Sequence, residues 1–489
     1  MKFDDRTFLQ TTAPLVERLR VLTEQPKTPF YAPGHKHGQG ISPNLEQWLG
    51  KTLFAADLPE LPELDNLFAP ESVIAEAQSL AAQAFGADRT WFLANGSTSG
   101  IVAAILATCQ PGDKIILPRN SHQAAIAGLI LTGAIPIFFN PAYDRDRDLP
   151  LNVTSAALQA ALNAHPDSKA VFLVNPTYQG ICANLEAIAS LVKQHHLPLI
   201  IDEAHGAHFA FHPDLPPTAL SLGADVVIQS THKTLGALSQ ASMLHQQGEK
   251  VAPQRLSQAL QFVQSTSPNY LLLASLDAAR QQMATAGETL MTHTLQRGDR
   301  ARQEIAQIPG LSVLNRPISP QPGFFDLDRT RLTVWVDKLG LTGFEADTIL
   351  NEQLNVVAEL PLLRHLTFMI TLGNTDADIA ALIASFQTLA TRPPIPLELP
   401  SFSLFETIPQ LALTPREAFF AASERVSSQE ACDRISTELI CPYPPGIPVI
   451  MPGEIITQEA ISYLQQILIL GGQITGCSDS SLATIGVVE

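Results

Sequence analysis

The sequence predicts an α/β fold with a mainly parallel central sheet. From about residue 90, short apolar and β-branched runs alternate with helix-forming segments; among these runs are TWFLAN, KIILP, AVFLVN and LPLIID. Continuously apolar strands are typical of parallel strands covered by helices on both faces. Conspicuous polar clusters follow several of these runs, and ligands of open α/β sheets bind at the carboxyl ends of the strands. We therefore expect a ligand site at that edge of the sheet.

Composition and charge limit the classes of protein and partner. The chain has 489 residues, 45% hydrophobic and 16% charged, which indicates a compact protein with a large core. A net charge of -17 disfavours nucleic acid and anionic membranes as partners. The N-terminus does not resemble a secretory signal, and no apolar run is long enough to cross a bilayer. The five cysteines lack C-x-x-C spacing, so reduced thiols and a cytoplasmic location are expected.

The pattern of elements predicts four regions. Residues 1–60 form an N-terminal arm with an amphipathic helix that includes Phe8, and residues 61–305 form the large domain, which ends in a long helical stretch. Residues 306–392 form a smaller α+β domain. The proline-rich linker TRPPIPLELPS then leads to a C-terminal domain, residues 401–489.

One lysine stands out at a predicted strand end. The run DVVIQSTHKTLGAL passes from β-branched residues through hydroxyl residues to Lys233, and small residues follow. A confined polar turn suits a partly desolvated amine that acts as a nucleophile towards a carbonyl group. A solvated surface lysine is the ordinary alternative, and the clusters at the other strand ends disfavour it.

Three further strand ends suit a phosphorylated aromatic ring. Asn95–Gly100 places three hydroxyl residues at a predicted helix N-terminus, which favours an anion, with ordinary N-capping as the alternative. Asp202 ends a buried strand and needs a cation or hydrogen bonds, which a protonated ring nitrogen would supply. His122 is a candidate to stack on a planar ring, although a lone histidine is more often structural. With Lys233, these groups predict a site for pyridoxal 5′-phosphate (PLP).

A metal site is the alternative for the side chains that follow Asp202, which are Glu203, His205, His208 and His212. The helix that would align two of these histidines is disfavoured by an adjacent glycine and proline. No metal site is therefore predicted.

The sequence resembles the ornithine/lysine/arginine decarboxylase family of PLP enzymes over nearly its whole length. The segments that carry the resemblance are PFYAPGHKHG, NGSTSG, PGDKIILPRNSH, NPTYQG, DEAHGAH, QSTHKTLGALSQASMLH, STSPNYLLLASLDAAR and YPPGIPVIMPGE. The NGST loop alone is a weak signal, whereas QSTHKTL after an upstream DEAHG is a strong one. The resemblance implies the aspartate-aminotransferase fold, known as fold type I.

The resemblance also implies residue roles. Lys233 would bind the PLP aldehyde covalently, Asp202 would contact the pyridine nitrogen, and His122 would stack on the ring. Further residues would bind the phosphate or lie beside the cofactor: Ser97, Thr98, His205, Ser230 and His232. The expected catalytic residues are Lys233, His232, Asp202 and His122, with Lys233 or His232 returning a proton to Cα.

The activity that the resemblance implies is α-decarboxylation of a basic L-amino acid. Arginine, lysine or ornithine would give agmatine, cadaverine or putrescine plus CO2, a carboxy-lyase reaction of polyamine biosynthesis. Large enterobacterial relatives carry an N-terminal receiver-like domain that builds higher assemblies. The chain begins almost directly at the helix before the PGHK loop, so we expect a homodimer with its active site near the subunit interface.

Two alternatives stay open on the residues alone. The first is an aminotransferase or another PLP lyase, which would need an arginine such as Arg364 to hold the substrate carboxylate. The second is a non-catalytic PLP-binding homologue, which the intact Lys233, Asp202 and His122 disfavour.

No motif specifies the substrate. Acidic side chains of two loops either contribute to a distal pocket or are solvated surface acids: Glu60, Glu63, Asp65 and Glu454.

Overall fold

The computed structural model describes residues 10–25, 27–393, 397, 399, 407–443 and 446–489. Phe8 of the predicted N-terminal helix and much of the predicted proline-rich linker lie outside the described residues.

Helices cover much of the described chain. They are α1 (Pro14–Glu24), α2 (Pro43–Leu49), α3 (Lys51–Ala56), α4 (Val73–Phe85), α5 (Gly96–Thr108), α6 (Gln123–Thr132), α7 (Ser155–Ala164), α8 (Leu185–Gln194), α9 (Thr231–Thr234), α10 (Pro253–Val263), α11 (Tyr270–Ile305), α12 (Gly343–Leu354), α13 (Asp376–Ala390), α14 (Pro415–Phe420) and α15 (Gln458–Ile469). None of them is both long enough and apolar enough to span a bilayer.

The strands alternate with these helices through the first half of the chain. They are β1 (Arg89–Leu93), β2 (Lys114–Pro118), β3 (Ile135–Phe139), β4 (Tyr143–Asp144), β5 (Leu149–Pro150), β6 (Ala170–Val174), β7 (Ile181–Cys182), β8 (Leu199–Asp202), β9 (Val226–Gln229), β10 (Ser242–Gln246), β11 (Ser312–Val313), β12 (Asp326–Leu327), β13 (Arg331–Trp335), β14 (Leu360–Pro361), β15 (His365–Met369), β16 (Ser423–Ser427), β17 (Cys441–Tyr443), β18 (Gln473–Thr475) and β19 (Thr484–Val488).

The chain forms two compact units. Unit 1 comprises Met1–Ala107 and Asp202–Met291, and unit 2 comprises Thr108–Ile201 and Thr292–Glu489. The division falls within β8 and within α11, a helix of 36 residues that agrees with the predicted long helical stretch. The four regions predicted from the sequence stay a prediction.

Unit 1 carries one half of the central sheet, in the order β1-β10-β9-β8. Strand β10 pairs antiparallel with both β1 and β9, and it was not anticipated from the sequence. The end of β8 is held by the Glu203 N–H group, which donates to the Ile228 carbonyl at 2.9 Å. All four residues of β9 are buried, as its continuously apolar sequence predicts.

Unit 2 carries the other half, in the order β8-β6-β2-β3. Strand β2 pairs parallel with β3 and with β6, as predicted for βα repeats. The parallel strands and their intervening helices confirm the α/β fold with a mainly parallel sheet.

The remainder of unit 2 has two further cores. A four-stranded sheet in the order β11-β13-β15-β14 supports one apolar cluster, together with residues of α12 and α13. A second cluster lies nearer the C-terminus and includes buried residues of α15, β18 and β19. The predicted α+β pattern after α11 is therefore present.

Candidate active site

Gly100 allows the N-terminal part of α5 to pack closely against the sheet. A Cβ atom on Gly100 would lie 2.7 Å from Leu93 Cδ1 and 3.0 Å from Ile228 Cγ2, so only glycine allows this close approach. Gly96 opens the helix with a φ of +73°, a conformation that glycine adopts without strain. The first turn of α5 thus begins directly after β1, where its N–H groups lack partners within the helix.

The predicted anion-binding hydroxyls lie in that first turn. Ser230, which follows β9, donates its hydroxyl to Ser97 Oγ at 2.8 Å, so two distant segments bring their hydroxyls together. Thr98 is exposed, and the Ser99 hydroxyl donates to the Gly96 carbonyl at 2.8 Å. The arrangement suits an anion at the helix N-terminus, because unpaired N–H groups and the helix dipole both favour negative charge there.

Lys233 lies in α9, one helical turn after the end of β9. Its Nζ atom is 3.0 Å from Nε2 of His205, which is 4% exposed. His205 follows β8, so the contact joins the ends of two strands within unit 1. The structure therefore brings together two of the residues predicted to lie at the cofactor.

Asp202 is 4% exposed at the end of β8 and accepts a hydrogen bond from the Ala204 N–H group at 3.1 Å. Burial raises the pKa of its carboxyl to about 6, although the positive charge of Lys233 and the Ala204 hydrogen bond oppose that rise. A buried carboxylate of this kind gains from a further cation, because desolvation penalises its charged form.

His232 precedes Lys233 and has a defined tautomer. Its Nδ1 lies 2.9 Å from the Ala241 carbonyl, which can only accept, so Nδ1 carries the proton. Burial lowers the pKa of His232; the Ala241 hydrogen bond opposes this in part, and the Lys233 charge adds a smaller lowering. The neutral ring therefore presents Nε2 as a hydrogen-bond acceptor.

His122 belongs to unit 2 and caps helix α6. Its Nδ1 atom accepts a hydrogen bond from the Ala124 N–H group at 3.2 Å. A Cβ atom built on Gly446 would lie 3.6 Å from His122 Nε2, so the turn at Gly446 approaches the ring edge. The structure shows the capping role, and the predicted stacking on a ring stays a prediction.

The residues weighed as metal ligands have other hydrogen-bond partners. The Glu203 carboxyl is hydrogen-bonded to the Ala219 N–H group and to the Gln229 side chain, and His205 lies against Lys233. His212 accepts a hydrogen bond from the Asp214 N–H group at 3.1 Å. Within the described ranges, no cluster of three or more His, Cys, Asp or Glu residues has metal-binding geometry.

Two of the acidic loop residues are buried rather than solvated. Glu454 is 1% exposed and pairs with Arg119 at 3.0 Å. Asp65 is also buried and accepts hydrogen bonds from backbone N–H groups at the start of α4, among them those of Ser72 and Ile74. Glu63 pairs with Lys27. These contacts give the acids structural partners within the chain.

Unit 2 contains a cavity of about 690 Å³ beside the ends of β2 and β6. Arg119 and Asn120, which follow β2, line it together with Thr177 and Tyr178. Polar residues that follow these two strands therefore face one cavity. Arg364 also lines the cavity, with its guanidinium 3.6 Å from Asp148 and 3.5 Å from Asp337.

The sequence analysis did not predict a row of buried polar side chains next to Asp202. Side-chain hydrogen bonds join its members in this order: Glu203, Gln229, His245 and Thr90. The available signal was a glutamine and a histidine inside apolar strands, since buried polar groups require partners.

An amine and a buried carboxylate at neighbouring strand ends, beside a helix N-terminus suited to an anion, are the arrangement expected of an enzyme of the α/β class. Two family models match it: Orn/Lys/Arg decarboxylase, major domain, over residues 13–331, and Orn/Lys/Arg decarboxylase, C-terminal domain, over residues 401–477. The chain belongs to the Orn/Lys/Arg decarboxylase family, and it is accordingly an amino-acid decarboxylase, a lyase.

Relatives of known name agree with this membership. The chain is 38% identical to arginine decarboxylase of Bacillus subtilis (strain 168) over 488 residues, which cover 98% of each protein. It is 28% identical to lysine decarboxylase LdcA of Pseudomonas aeruginosa over 560 residues, which cover 90% of this chain and 74% of the relative.

Solved structures show the same fold. The Francisella novicida lysine decarboxylase LdcF superposes with a TM-score of 0.82 at 22% identity, covering 99% of this chain and 82% of that one. Alanine–glyoxylate aminotransferase from Nostoc sp. superposes with a TM-score of 0.52 at 18% identity, covering 66% of this chain and 88% of that one. Both a decarboxylase and an aminotransferase therefore share the architecture, so the fold alone does not select the reaction.

Proposed function

We propose that the chain catalyses PLP-dependent α-decarboxylation of L-arginine, giving agmatine and CO2. The observation that carries the proposal is Lys233 at the end of β9, with its amine 3.0 Å from buried His205, in a member of this decarboxylase family. Arginine is proposed ahead of lysine because the relative from Bacillus subtilis that matches 98% of both chains is named arginine decarboxylase. The lysine decarboxylase from Pseudomonas aeruginosa matches at lower identity.

The residues of unit 1 fit PLP by their chemistry. Lys233 supplies the amine for the aldehyde, and the hydroxyls of Ser97 and Ser230, 2.8 Å apart at the start of α5, suit the phosphate. Burial raises the pKa of the Asp202 carboxyl, and a protonated pyridine nitrogen beside it would offset that desolvation. When bound, PLP supplies an electron sink for the electrons released as CO2 leaves.

The protein side chains have separable tasks in this reaction. Lys233 would hold the cofactor through its amine; when that amine is free, it can exchange a proton with His205, whose Nε2 lies 3.0 Å away. His232 presents an unprotonated Nε2, so it can accept a proton at the substrate side and can return one only after it has accepted one. Asp202 keeps its negative charge in a site closed to water, where a fixed charge acts most strongly.

His122 and Thr98 complete the proposed set. Thr98 lies in the exposed part of the first turn of α5, where its hydroxyl can reach an anion. The His122 ring accepts the hydrogen bond from the Ala124 N–H group, which restrains its orientation. Both roles rest on the family resemblance together with these positions.

An aminotransferase is the competing activity on this fold. It would need an arginine whose guanidinium can bind the substrate carboxylate, and Arg364 was the candidate. Arg364 lies within 3.6 Å of Asp148 and 3.5 Å of Asp337, so two carboxylates already compete for its charge. This pairing favours the decarboxylase over the aminotransferase.

Paired assays on the purified holoenzyme test the proposal. We expect CO2 release from arginine to exceed that from lysine and ornithine, with no transfer of the amino group to a keto acid. Lys233→Ala should abolish both CO2 release and the visible absorbance of the lysine–PLP imine, whereas Lys193→Ala, at an exposed position of α8, should change neither. Amino transfer without CO2 release would overturn the proposal.

We also propose a homodimer as the working assembly. Phe30 and Trp48, in the N-terminal arm of unit 1, are 94% and 78% exposed. Two large aromatic side chains gain substantially from burial, and aromatic residues are enriched at interfaces between subunits. A second copy of the chain would cover them.

A further inference from the structure

Glu203 is a fully buried acid that the proposed reaction does not use. It follows Asp202 directly, is 0% exposed, and accepts a hydrogen bond from the Ala219 N–H group at 2.8 Å. Its other carboxyl oxygen lies 2.7 Å from Gln229 Nε2. The absence of a side chain at Gly206 makes room for it, because a Cβ atom there would lie 2.6 Å from Glu203 Cγ.

The contact with Gln229 continues across the sheet of unit 1. Gln229 Oε1 lies 3.1 Å from Nε2 of His245 in β10, and His245 Nδ1 lies 2.8 Å from the Thr90 hydroxyl in β1. His245 is 0% exposed, and its ring stacks on Phe85 with centroids 4.8 Å apart. Four polar side chains thus form one buried chain from β1 to the end of β8.

Two arrangements of protons satisfy all the hydrogen bonds that join these four side chains. If Glu203 is ionised, the Gln229 amide N–H donates to it, His245 Nε2–H donates to the Gln229 oxygen, and the Thr90 hydroxyl donates to His245 Nδ1. If Glu203 is protonated, every donor reverses. The Glu203 hydroxyl then donates to a rotated Gln229 amide, that amide donates to His245 Nε2, and His245 Nδ1–H donates to Thr90.

Burial and uncharged partners select between these arrangements. Burial is the largest effect on the Glu203 carboxyl and raises its pKa to about 8, and the hydrogen bonds from Gln229 and Ala219 oppose this rise only in part. The charge of Asp202, which precedes Glu203, makes a smaller contribution in the same direction as burial. His245 cannot compensate as a cation, because burial lowers its pKa to about 3. Glu203 is 0% exposed and its side-chain partner Gln229 is uncharged, so the protonated arrangement is favoured.

We propose that Glu203 is a positioning residue held as a neutral, protonated acid by the Gln229–His245–Thr90 chain, so that the negative charge at the end of β8 resides on Asp202. The inference deepens the proposed function and rests on it where Asp202 serves the cofactor. A proton on Glu203 keeps its carboxyl hydrogen-bonded without placing a second negative charge beside that of Asp202. The hydrogen bonds to Gln229, His245 and Thr90 hold Glu203 in place, and Asp202 remains as the negatively charged partner for a cationic ring.

Infrared spectroscopy on the full-length holoenzyme tests the protonation state. At pH 7 we expect the carbonyl-stretch band of a protonated carboxyl, and that band should disappear in Glu203→Gln. The exposed α8 position provides a matched control, and Glu186→Gln should leave the band in place. A spectrum in which Glu203→Gln removes only carboxylate bands would overturn the proposal.

The pH dependence of stability gives a second readout. As pH rises, the unfolded chain loses the Glu203 proton near the ordinary pKa of 4.5, while the folded chain keeps it until about 8. Wild-type stability attributable to Glu203 is therefore present below pH 4.5 and is lost as pH rises to 8. Glutamine does not titrate, so the Tm of Glu203→Gln relative to wild type should rise by about 5 °C across this window. A flat or falling difference contradicts the proposal.

If Glu203→Gln does not fold, the tautomer of His245 in the wild-type protein shows whether Glu203 is protonated. In ¹⁵N-histidine-labelled wild-type protein, the proposal requires a protonated Nδ1 and a bare Nε2, with the resonances assigned by their loss in His245→Gln. The opposite tautomer would refute it. These readouts do not depend on turnover, so absent decarboxylation with a protonated Glu203 would overturn only the proposed function.

Discussion

At the scale of single residues, the electrostatics of the site centre on Asp202. Its carboxyl is almost entirely removed from water, and burial raises its pKa to about 6 against the charge of Lys233. A carboxylate that costs this much to bury is a poor structural choice unless a cation joins it. The environment therefore supports the role proposed for Asp202 beside a protonated pyridine ring.

We predict that Asp202→Asn lowers kcat for decarboxylation by about 10²–10³-fold, in the range for loss of one preorganised electrostatic group. The amide keeps the side-chain shape and removes the charge, so PLP should still bind covalently. Absorbance of the bound cofactor and single-turnover CO2 release measure the two effects separately. Asp214→Asn, at an exposed position of unit 1, serves as the control and should retain wild-type turnover. Equal rates in the two variants would remove Asp202 from the proposed mechanism.

Some residue-scale features were visible in the sequence and others were not. Lys233 and Asp202 were predicted because each ends a recognisable apolar strand. The hydrogen-bonded chain behind Asp202 was not, since His245 and Thr90 are 155 positions apart and only strand pairing brings them together. Glu454 was left open as a solvated acid, and its pairing with Arg119, 335 positions away, buries it.

At the scale of elements, a buried ion pair holds the N-terminal helix of unit 1. Asp277 and Arg280 lie one turn apart on α11, and both side chains are 0% exposed. Arg280 donates to the carbonyl of Thr12 at 2.9 Å, and Asp277 accepts from the Leu15 N–H group at 3.0 Å. The pair therefore forms hydrogen bonds with the segment that precedes α1 and with the first turn of α1, whose Leu15 and Leu19 are buried.

Breaking this pair should unfold unit 1 more easily. We predict that Arg280→Met lowers the free energy of unfolding by about 3–5 kcal/mol, because Asp277 is left as an uncompensated buried charge. Equilibrium urea denaturation measures the change. The double variant Arg280→Met with Asp277→Leu should recover most of the loss, and a double variant as unstable as the single one would show that packing, not charge, is responsible.

Element types followed from sequence where periodicity was strong. The β-branched runs became β2, β3, β6, β8 and β9, and the long helical stretch became α11. Strand β10 was missed because its residues, SMLHQ, include a histidine and a glutamine that look solvated in isolation. The antiparallel partners β1 and β9 bury them, which is a property of pairing rather than of local propensity.

At the scale of the whole molecule, exposed aromatic residues bear on assembly. Phe30 and Trp48 lie in the N-terminal arm, and aromatic side chains as exposed as these are enriched at surfaces that bind a partner. The proposed homodimer accounts for this exposure.

We predict that the double change Phe30→Ser with Trp48→Ser shifts the protein from dimer towards monomer at micromolar concentration. Light scattering coupled to size exclusion measures the mass, to be compared with 52.8 kDa for one chain. Phe262→Ser provides a matched control, because Phe262 is 85% exposed on α10, outside the N-terminal arm, and its loss should leave the dimer intact. A wild-type mass of one chain would contradict the dimer directly.

The sequence by itself determined the α/β class, the elements with strong periodicity, and the amine and carboxylate at two strand ends. Those features depend on neighbouring residues, because propensity, apolar pattern and turn chemistry act over a few positions. Only the tertiary structure decided that His205 lies against Lys233, that Glu454 is paired with Arg119, and that Glu203 joins a buried chain to Thr90. Each of these depends on burial, and burial is set by segments distant in the chain.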